Sequence, residues 1–254
     1  SDMKQNVGKA VKIAVLTVGA FVMIFPFLWM LFTSLKTLPE SISIPPTLFP
    51  AVPQFENYTE ALAVAPFGLY LRNSIIVAGG GTLLTLVLTV LSAYGFTIYE
   101  FRGKKLLFGF IILTMIIPGT TMIVPQFELA TRLGLVNKLA GLIPFYVAWV
   151  IPFSTFMIKG FMEGIPDEIT EATYIDGASV MTVYGKIALP LAAPAIASVS
   201  IFNFLTAWEE YPWANTVIND TVLRTLPIAI AGFFGQHQFT QWGYVFAMSV
   251  LTLI

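Results

Sequence analysis

Residues 73–99 read NSIIVAGGGTLLTLVLTVLSAYGFTIY, with no formal charge between Arg72 and Glu100. A helix rises about 1.5 Å per residue, so roughly 20 residues cross the ~30 Å of hydrocarbon in a bilayer. Lipid offers backbone amides no water, so a run this long and apolar must close its hydrogen bonds within itself, as a helix. The same criterion picks out charge-free runs at 13–35, 106–127, 139–158 and 187–208. Residues 225–254 also carry no charge, but Gln236-His237-Gln238 interrupts them. The last membrane segment is therefore predicted at 239–254, too short to cross, and the natural chain is expected to continue beyond Ile254. The prediction is an all-α membrane protein with six transmembrane helices in a single domain, 1–254.

Composition sets the same class. Of 254 residues, 57% are hydrophobic and 11% charged, against roughly 25% charged in a soluble domain. One aqueous core cannot hide that much apolar surface, so the lipid membrane is the solvent. A net charge of −1 supplies no field for nucleic acid. There is no cysteine, the one histidine is His237, and no span holds a pair of carboxylates. Catalytic and metal chemistry thus lack candidate residues, and the chain is predicted to be non-enzymatic. The predicted span centres are uncharged, which argues against an ion-coupled secondary transporter.

The positive-inside rule orients the chain. With a cytoplasmic N-terminus, eight of the thirteen basic residues are internal, among them the cluster Arg102-Lys104-Lys105. The outer segment 37–71 is long and proline-rich. The largest inner segment, 159–186, holds Glu163, Asp167, Glu168, Glu171 and Asp176, five of the fourteen acids. It is predicted to fold as helix, turn, helix. Pro166 suits a first helical position, with Asp167 and Glu168 complementing the dipole. Ile169, Ala172 and Thr173 share a face, and Gly177 ends the helix. Ser179 caps a second short helix reaching about Gly185, and Pro190 marks the entry to the fifth span.

Glu171-Ala172-Thr173, three residues, Gly177, nine residues and Ile187-Ala188-Leu189-Pro190 fit the pattern EAA---G---------I-LP. This resembles the signature of the membrane subunits of binding-protein-dependent ABC importers, with Thr173 in place of the second alanine. Arg72-Asn73-Ser74, Ala93-Tyr94-Gly95, Phe101-Arg102-Gly103-Lys104, Ile117-Pro118 and Val124-Pro125 are similar to maltose-type (MalG-like) carbohydrate permease subunits. So are Leu133-Gly134-Leu135, Ile175-Asp176-Gly177-Ala178-Ser179 and Thr225-Leu226-Pro227. Trp208-Glu209-Glu210 departs from the W-N-E common in that family.

The resemblance implies a type I ABC importer transmembrane domain in the cytoplasmic membrane. Its coupling helix lies between the fourth and fifth spans and is seated on a separate ATPase subunit. Glu171, Ala172, Thr173, Asp176, Gly177, Ala178, Leu189 and Pro190 are the ATPase-coupling residues it implies. It further implies two ATP-binding-cassette ATPases, a second permease subunit, an extracytoplasmic solute-binding protein and a sugar substrate moved by alternating access. This chain has no G-x-x-x-x-G-K-[ST] loop, so ATP and Mg²⁺ belong to the partner ATPases. A polyol or glycerol phosphate is the alternative solute.

Near the outer end of the fifth span, Asn203, Trp208, Glu209 and Tyr211 are candidates for the substrate path. Aromatics stack on sugars and amides or carboxylates bond hydroxyls, but aromatics at this depth also serve as interfacial anchors. For Trp208 both readings stand, and Trp213 reads as an anchor. Gly79-Gly80-Gly81 in the second span reads as a close helix approach or a hinge.

Overall fold

Four helical stretches in the computed structural model are long and apolar enough to cross a membrane: Gly8–Ser34, Phe67–Ile98, Leu139–Met162 and Val180–Trp208. The structure describes residues 2–234 and 240–253, and those residues hold no strand. The helices are α1 (Asp2–Ser34), α2 (Leu38–Ser41), α3 (Glu56–Val64), α4 (Phe67–Ile98), α5 (Lys104–Leu113) and α6 (Ile123–Arg132). They continue as α7 (Leu139–Met162), α8 (Asp167–Ile175), α9 (Val180–Val183), α10 (Leu189–Trp208), α11 (Pro212–Val217), α12 (Leu226–Ala231) and α13 (Trp242–Leu253).

The first, second, fourth and fifth predicted spans fall on α1, α4, α7 and α10. The third, 106–127, is not one helix. α5 gives way to a 3₁₀ turn at Thr114–Ile116, Ile117 is extended (φ −79°, ψ 117°), and a second 3₁₀ turn at Gly119–Met122 leads into α6. Pro118 is the cause. It has no N–H to donate and forces the residue before it out of the helical region. Pro125 lies in the first turn of α6, where a missing N–H costs nothing, and leaves that helix intact. The described part of the sixth predicted segment is α13, with 12 residues. His237 lies outside the described residues.

The chain divides into two compact units, 1–68 with 229–254, and 69–228. In the first, α13 packs on α1 and α3. The side-chain amide of Asn57 donates to the carbonyls of Ser34 (2.8 Å) and Lys36 (2.9 Å) at the end of α1. This satisfies acceptors that a helix terminus otherwise leaves open.

In the second unit, Val77 of α4, Leu142, Phe145 and Tyr146 of α7 and Trp213 and Val217 of α11 form one buried cluster. α4 and α7 approach closely at Gly80, where a Cβ would lie 3.1 Å from the Ile143 side chain, consistent with the packing reading of the glycine run. The Asn73 amide donates to the carbonyls of Val222 and Arg224, 2.9 Å each, and Ser74 Oγ accepts from the Leu226 N–H at 2.8 Å. The stretches 72–74 and 225–227, both noted in the sequence, therefore bind each other.

Candidate functional site

The segment from α7 to α10 is built by local rules. Pro166 (φ −58°, ψ 133°), predicted as the first helical residue, instead occupies the cap position, and α8 starts directly after it. At the other end Gly177 has φ +81°, a conformation that side chains with a Cβ resist. Its N–H bonds the Tyr174 carbonyl (3.0 Å), and the Ala178 N–H bonds the Thr173 carbonyl (3.2 Å). Together these form the Schellman closure, which uses up acceptors at the helix end. The same pair of bonds recurs at the end of α6, around Gly134 (φ +65°). Thr173, in place of an alanine, turns its hydroxyl back to the Ile169 carbonyl at 2.7 Å.

Ser179 caps as predicted, accepting from the Thr182 N–H at 3.2 Å. The helix it starts does not stop near Gly185. α9 runs through a π turn at Tyr184–Ala188 into α10, one unbroken helix from Val180 to Trp208. Pro190 explains the wider turn. It cannot donate to the Lys186 carbonyl, and its ring would collide with that oxygen in an α geometry. The Leu189 N–H instead bonds Tyr184, five residues back. Ala188 is buried with Val90 and Ala93 of α4 and Ile158 and Met162 of α7, and Val183 is fully buried. Tyr94 of α4 donates to the Val180 carbonyl at 3.0 Å. The arm after the turn is thus bound to the helices it enters.

Glu171, Ala172, Asp176 and Gly177 are exposed, as is Pro190, while Thr173, Ala178 and Leu189 are half-buried. Sequence reading gave no docking role to the apolar residues beside them. Ile175 is 86% exposed and Met181 69%, with Ile169, Tyr174 and Val180 also open. The signal was Ile175 on one side and Val180-Met181 on the other side of the turn Asp176-Gly177-Ala178-Ser179.

The four substrate-path candidates do not converge. Asn203 is 2% exposed, accepting from Ser154 Oγ of α7 at 3.1 Å. Trp208 stacks on Phe204 of its own helix, ring centroids 5.4 Å apart. Glu209 ends α10 and is exposed, and Tyr211 is exposed just before α11. Trp213 is not an interfacial anchor. It is fully buried, 4.6 Å from the Phe145 ring, because α11 folds back against α7. The polar residue that organises this end is Glu210. Its carboxylate accepts from the Tyr146 hydroxyl (2.7 Å) and from the Trp213 and Ala214 N–H groups (2.7 and 2.9 Å).

Beside the break at Pro118 a cavity of about 490 Å³ opens between the two 3₁₀ turns, α6, α7 and α10, with Thr114, Gln126, Trp149, Phe153 and Phe202 on its walls. A second, of about 250 Å³, is lined by Trp149, Glu210 and Trp213. Gly119 and Trp149 border both. Sequence reasoning placed none of these lining residues on the substrate path, since the break that creates the space went unread.

Comparison with known proteins adds to this geometry. Residues 85–254 match the family model described as "Binding-protein-dependent transport system inner membrane component". The trehalose/maltose transport system permease protein MalG of Thermococcus litoralis is 34% identical over 99% of this chain and 91% of its own length. The sulfoquinovosyl glycerol transport system permease protein SmoH of Agrobacterium fabrum is 35% identical over 91% of this chain and 81% of its own. In fold, the chain is similar to one from a bacterial ABC transporter that imports the acidic polysaccharide alginate. The TM-score is 0.79 at 20% identity, over 98% of this chain and 92% of the other. With a family model over most of its length and a relative along nearly all of it, the chain belongs to the inner membrane components of binding-protein-dependent transport systems.

Proposed function

We propose that the chain is one permease subunit of an ATP-driven importer for a sugar or oligosaccharide, working by alternating access. The observation that carries this reading is α8 with its Schellman end. It is a short helix, closed at its C-terminal end, whose Glu171 and Ala172 face solvent beside Ile175 and Met181. A helix whose C-terminal end is closed within the chain, edged by exposed apolar side chains, suits a groove on an ATPase subunit. In this reading Glu171, Ala172, Thr173, Asp176, Gly177 and Ala178 form the docking helix and its turn. Leu189 and Pro190 join it to α10. ATP and Mg²⁺ sit on the partner ATPases, and closure of those subunits moves α8 as a rigid body.

The six spans of this reading are α1, α4, the interrupted α5–α6, α7, α9–α10 and the segment containing α13, with the N-terminus inside. Residues 1–254 act as one permease domain. Both passages of the chain between its two units fall inside helices, α4 and α12, where a linker would be expected between domains. A second permease subunit and an extracytoplasmic solute-binding protein complete the assembly. Carbohydrate transport follows from the relatives, one named for trehalose and maltose and one for sulfoquinovosyl glycerol.

Co-purification tests this. The chain expressed with its neighbouring ATPase and permease subunits should be recovered with ATPase bound, and Glu171→Lys should release the ATPase while leaving membrane insertion intact. Retention of the ATPase by that variant, with normal uptake, would remove the docking role from α8.

A further inference from the structure

We propose that residues 42–55 form a strap bound to lipid, lying in the head-group region of the bilayer with Ile44, Val52 and Phe55 reaching the acyl chains. On the orientation of the importer reading this is the outer leaflet.

Three observations carry it. The first is apolar exposure on a held backbone. Ile44 is 95% exposed, and Ile42, Phe49, Val52 and Phe55 are each open by more than half. A loose loop could fold such side chains away, but this one is tied down. The Gln54 N–H donates to the Leu35 carbonyl at 2.8 Å, the Ala51 N–H to Glu40 Oε1 at 3.0 Å, and Lys36 Nζ to the Thr47 carbonyl. Fixed apolar groups gathered in one short segment mark a surface that something apolar covers.

The second is depth. The Phe49 ring lies 4.7 Å from that of Phe32, which is two residues, or about 3 Å of rise, from the end of α1. Gln54 returns to Leu35, one residue past that end. The strap is therefore level with the last turn of a span whose apolar window is unburied within the chain. Lys36, itself 2% exposed, sits 5.0 Å over the Trp29 ring, and tryptophan at a span's end marks the membrane–water interface. Phe27 and Leu31 of α1 are open as well, so the strap continues a surface that already faces lipid.

The third is composition. Residues 42–55 hold no charge and include Pro45, Pro46, Pro50 and Pro53. Proline has no N–H, so the stretch presents fewer donors where water is scarce. A soluble protein that docks and leaves is met by an apolar centre with a polar, charged rim, and the strap supplies no such rim. Lipid requires none.

The chain has no cysteine, so Ile44→Cys, Val52→Cys and Phe55→Cys each take one environment-sensitive dye. The complete assembly, its other subunits made cysteine-free, is placed in nanodiscs of phosphatidylethanolamine and phosphatidylglycerol without solute-binding protein. All three dyes should be quenched more by 5-doxyl than by 12-doxyl phosphatidylcholine. They should also lose most of the iodide quenching shown by the free dye–cysteine adduct. Val52→Glu, whose charge resists the interface, should restore iodide access at Phe55→Cys, which shows that the dye is not what holds the strap in lipid. Retained ATPase binding checks that each variant is folded and assembled. Full iodide access at all three sites, or no gain with Val52→Glu, would overturn the proposal. So would protection from iodide without doxyl quenching, which assigns the surface to the second permease. Protection that arrives only with added solute-binding protein assigns it to that protein and overturns the proposal too. The readout needs no transport, so it stands or fails apart from the docking role of α8.

Discussion

The phenol of Tyr94, near the end of α4, donates to the carbonyl of Val180, the first residue of α9, at 3.0 Å, and its ring centroid lies 4.9 Å from that of Tyr184. One side chain therefore ties a long apolar helix to the start of the arm that follows α8. Tyr94→Phe keeps the ring and removes the hydroxyl, at a cost of about 1 kcal/mol, or roughly a fivefold change in local opening. Amide exchange over residues 180–184 should quicken by that factor. Solute moved per ATP should fall while ATPase binding persists. An unchanged ratio would make the hydrogen bond incidental to coupling.

Gly177 and Gly134 close two helices with the same pair of bonds, and this provides an internal control. Alanine at either site must hold positive φ, costing roughly 1–2 kcal/mol. Both variants should lower the melting temperature of the detergent-solubilised assembly to a similar extent. Gly177→Ala alone should also weaken ATPase binding, by about tenfold. Equal ATPase affinity in the two variants would show that the turn after α8 has no special part in docking.

Removing Pro190 removes the reason for the π turn. In Pro190→Ala the Lys186 carbonyl regains its ordinary partner, residues 180–184 rotate by one position relative to α10, and the Tyr94–Val180 bond is lost. Pro190→Ala should therefore reproduce the exchange signature of Tyr94→Phe. The double variant should be no worse than Pro190→Ala alone, and this non-additivity is read from a double-mutant cycle. Additive effects would mean that the two features are independent.

Acid should loosen the segment after α1. The Glu40 carboxylate accepts from the Thr37 and Ala51 N–H groups at 3.1 and 3.0 Å, and these bonds hold its pKa below the ordinary 4.5. A lowered carboxylate pKa gives stability that is complete above the unfolded value and is lost as pH falls through the folded one. Exchange at Ala51 should match that of a Glu40→Gln variant well below pH 4 and be slower than it at neutral pH. Comparing the two proteins at each pH cancels the intrinsic rate. A constant ratio across the range would count against the carboxylate's role.

What was legible in the sequence follows from how local each cause is. Residues 73–99 announce a helix in lipid because lipid leaves the backbone no alternative, and 67–98 is what forms. Gly177 announces its turn because positive φ is settled within a few residues. Pro118 was equally local, yet charge-free length alone measures no continuity and passed over it. Pro190 was read as a boundary, although the chain accommodates it by widening one turn. The neighbours of Asn203 and Trp213 were not legible. α10 is apolar on all sides, so its sequence marks no inward face, and which residues meet depends on helices 49 or more positions away. Asn203 meets Ser154, and Trp213 meets Phe145.

The closed end of α8 bears on the order in which an assembly is made. Because Gly177 and Ala178 satisfy the final carbonyls within the chain, the helix holds its shape before anything binds it. Capture by another subunit then need not wait for folding, and proceeds at the rate of two rigid bodies finding their orientation. Under the docking role proposed for α8, a permease inserted on its own can wait in the membrane and recruit its motor late. Recognition under that role reads exposed side chains such as Ile175 and Met181, so one motor would serve several permeases that keep those contacts and differ elsewhere.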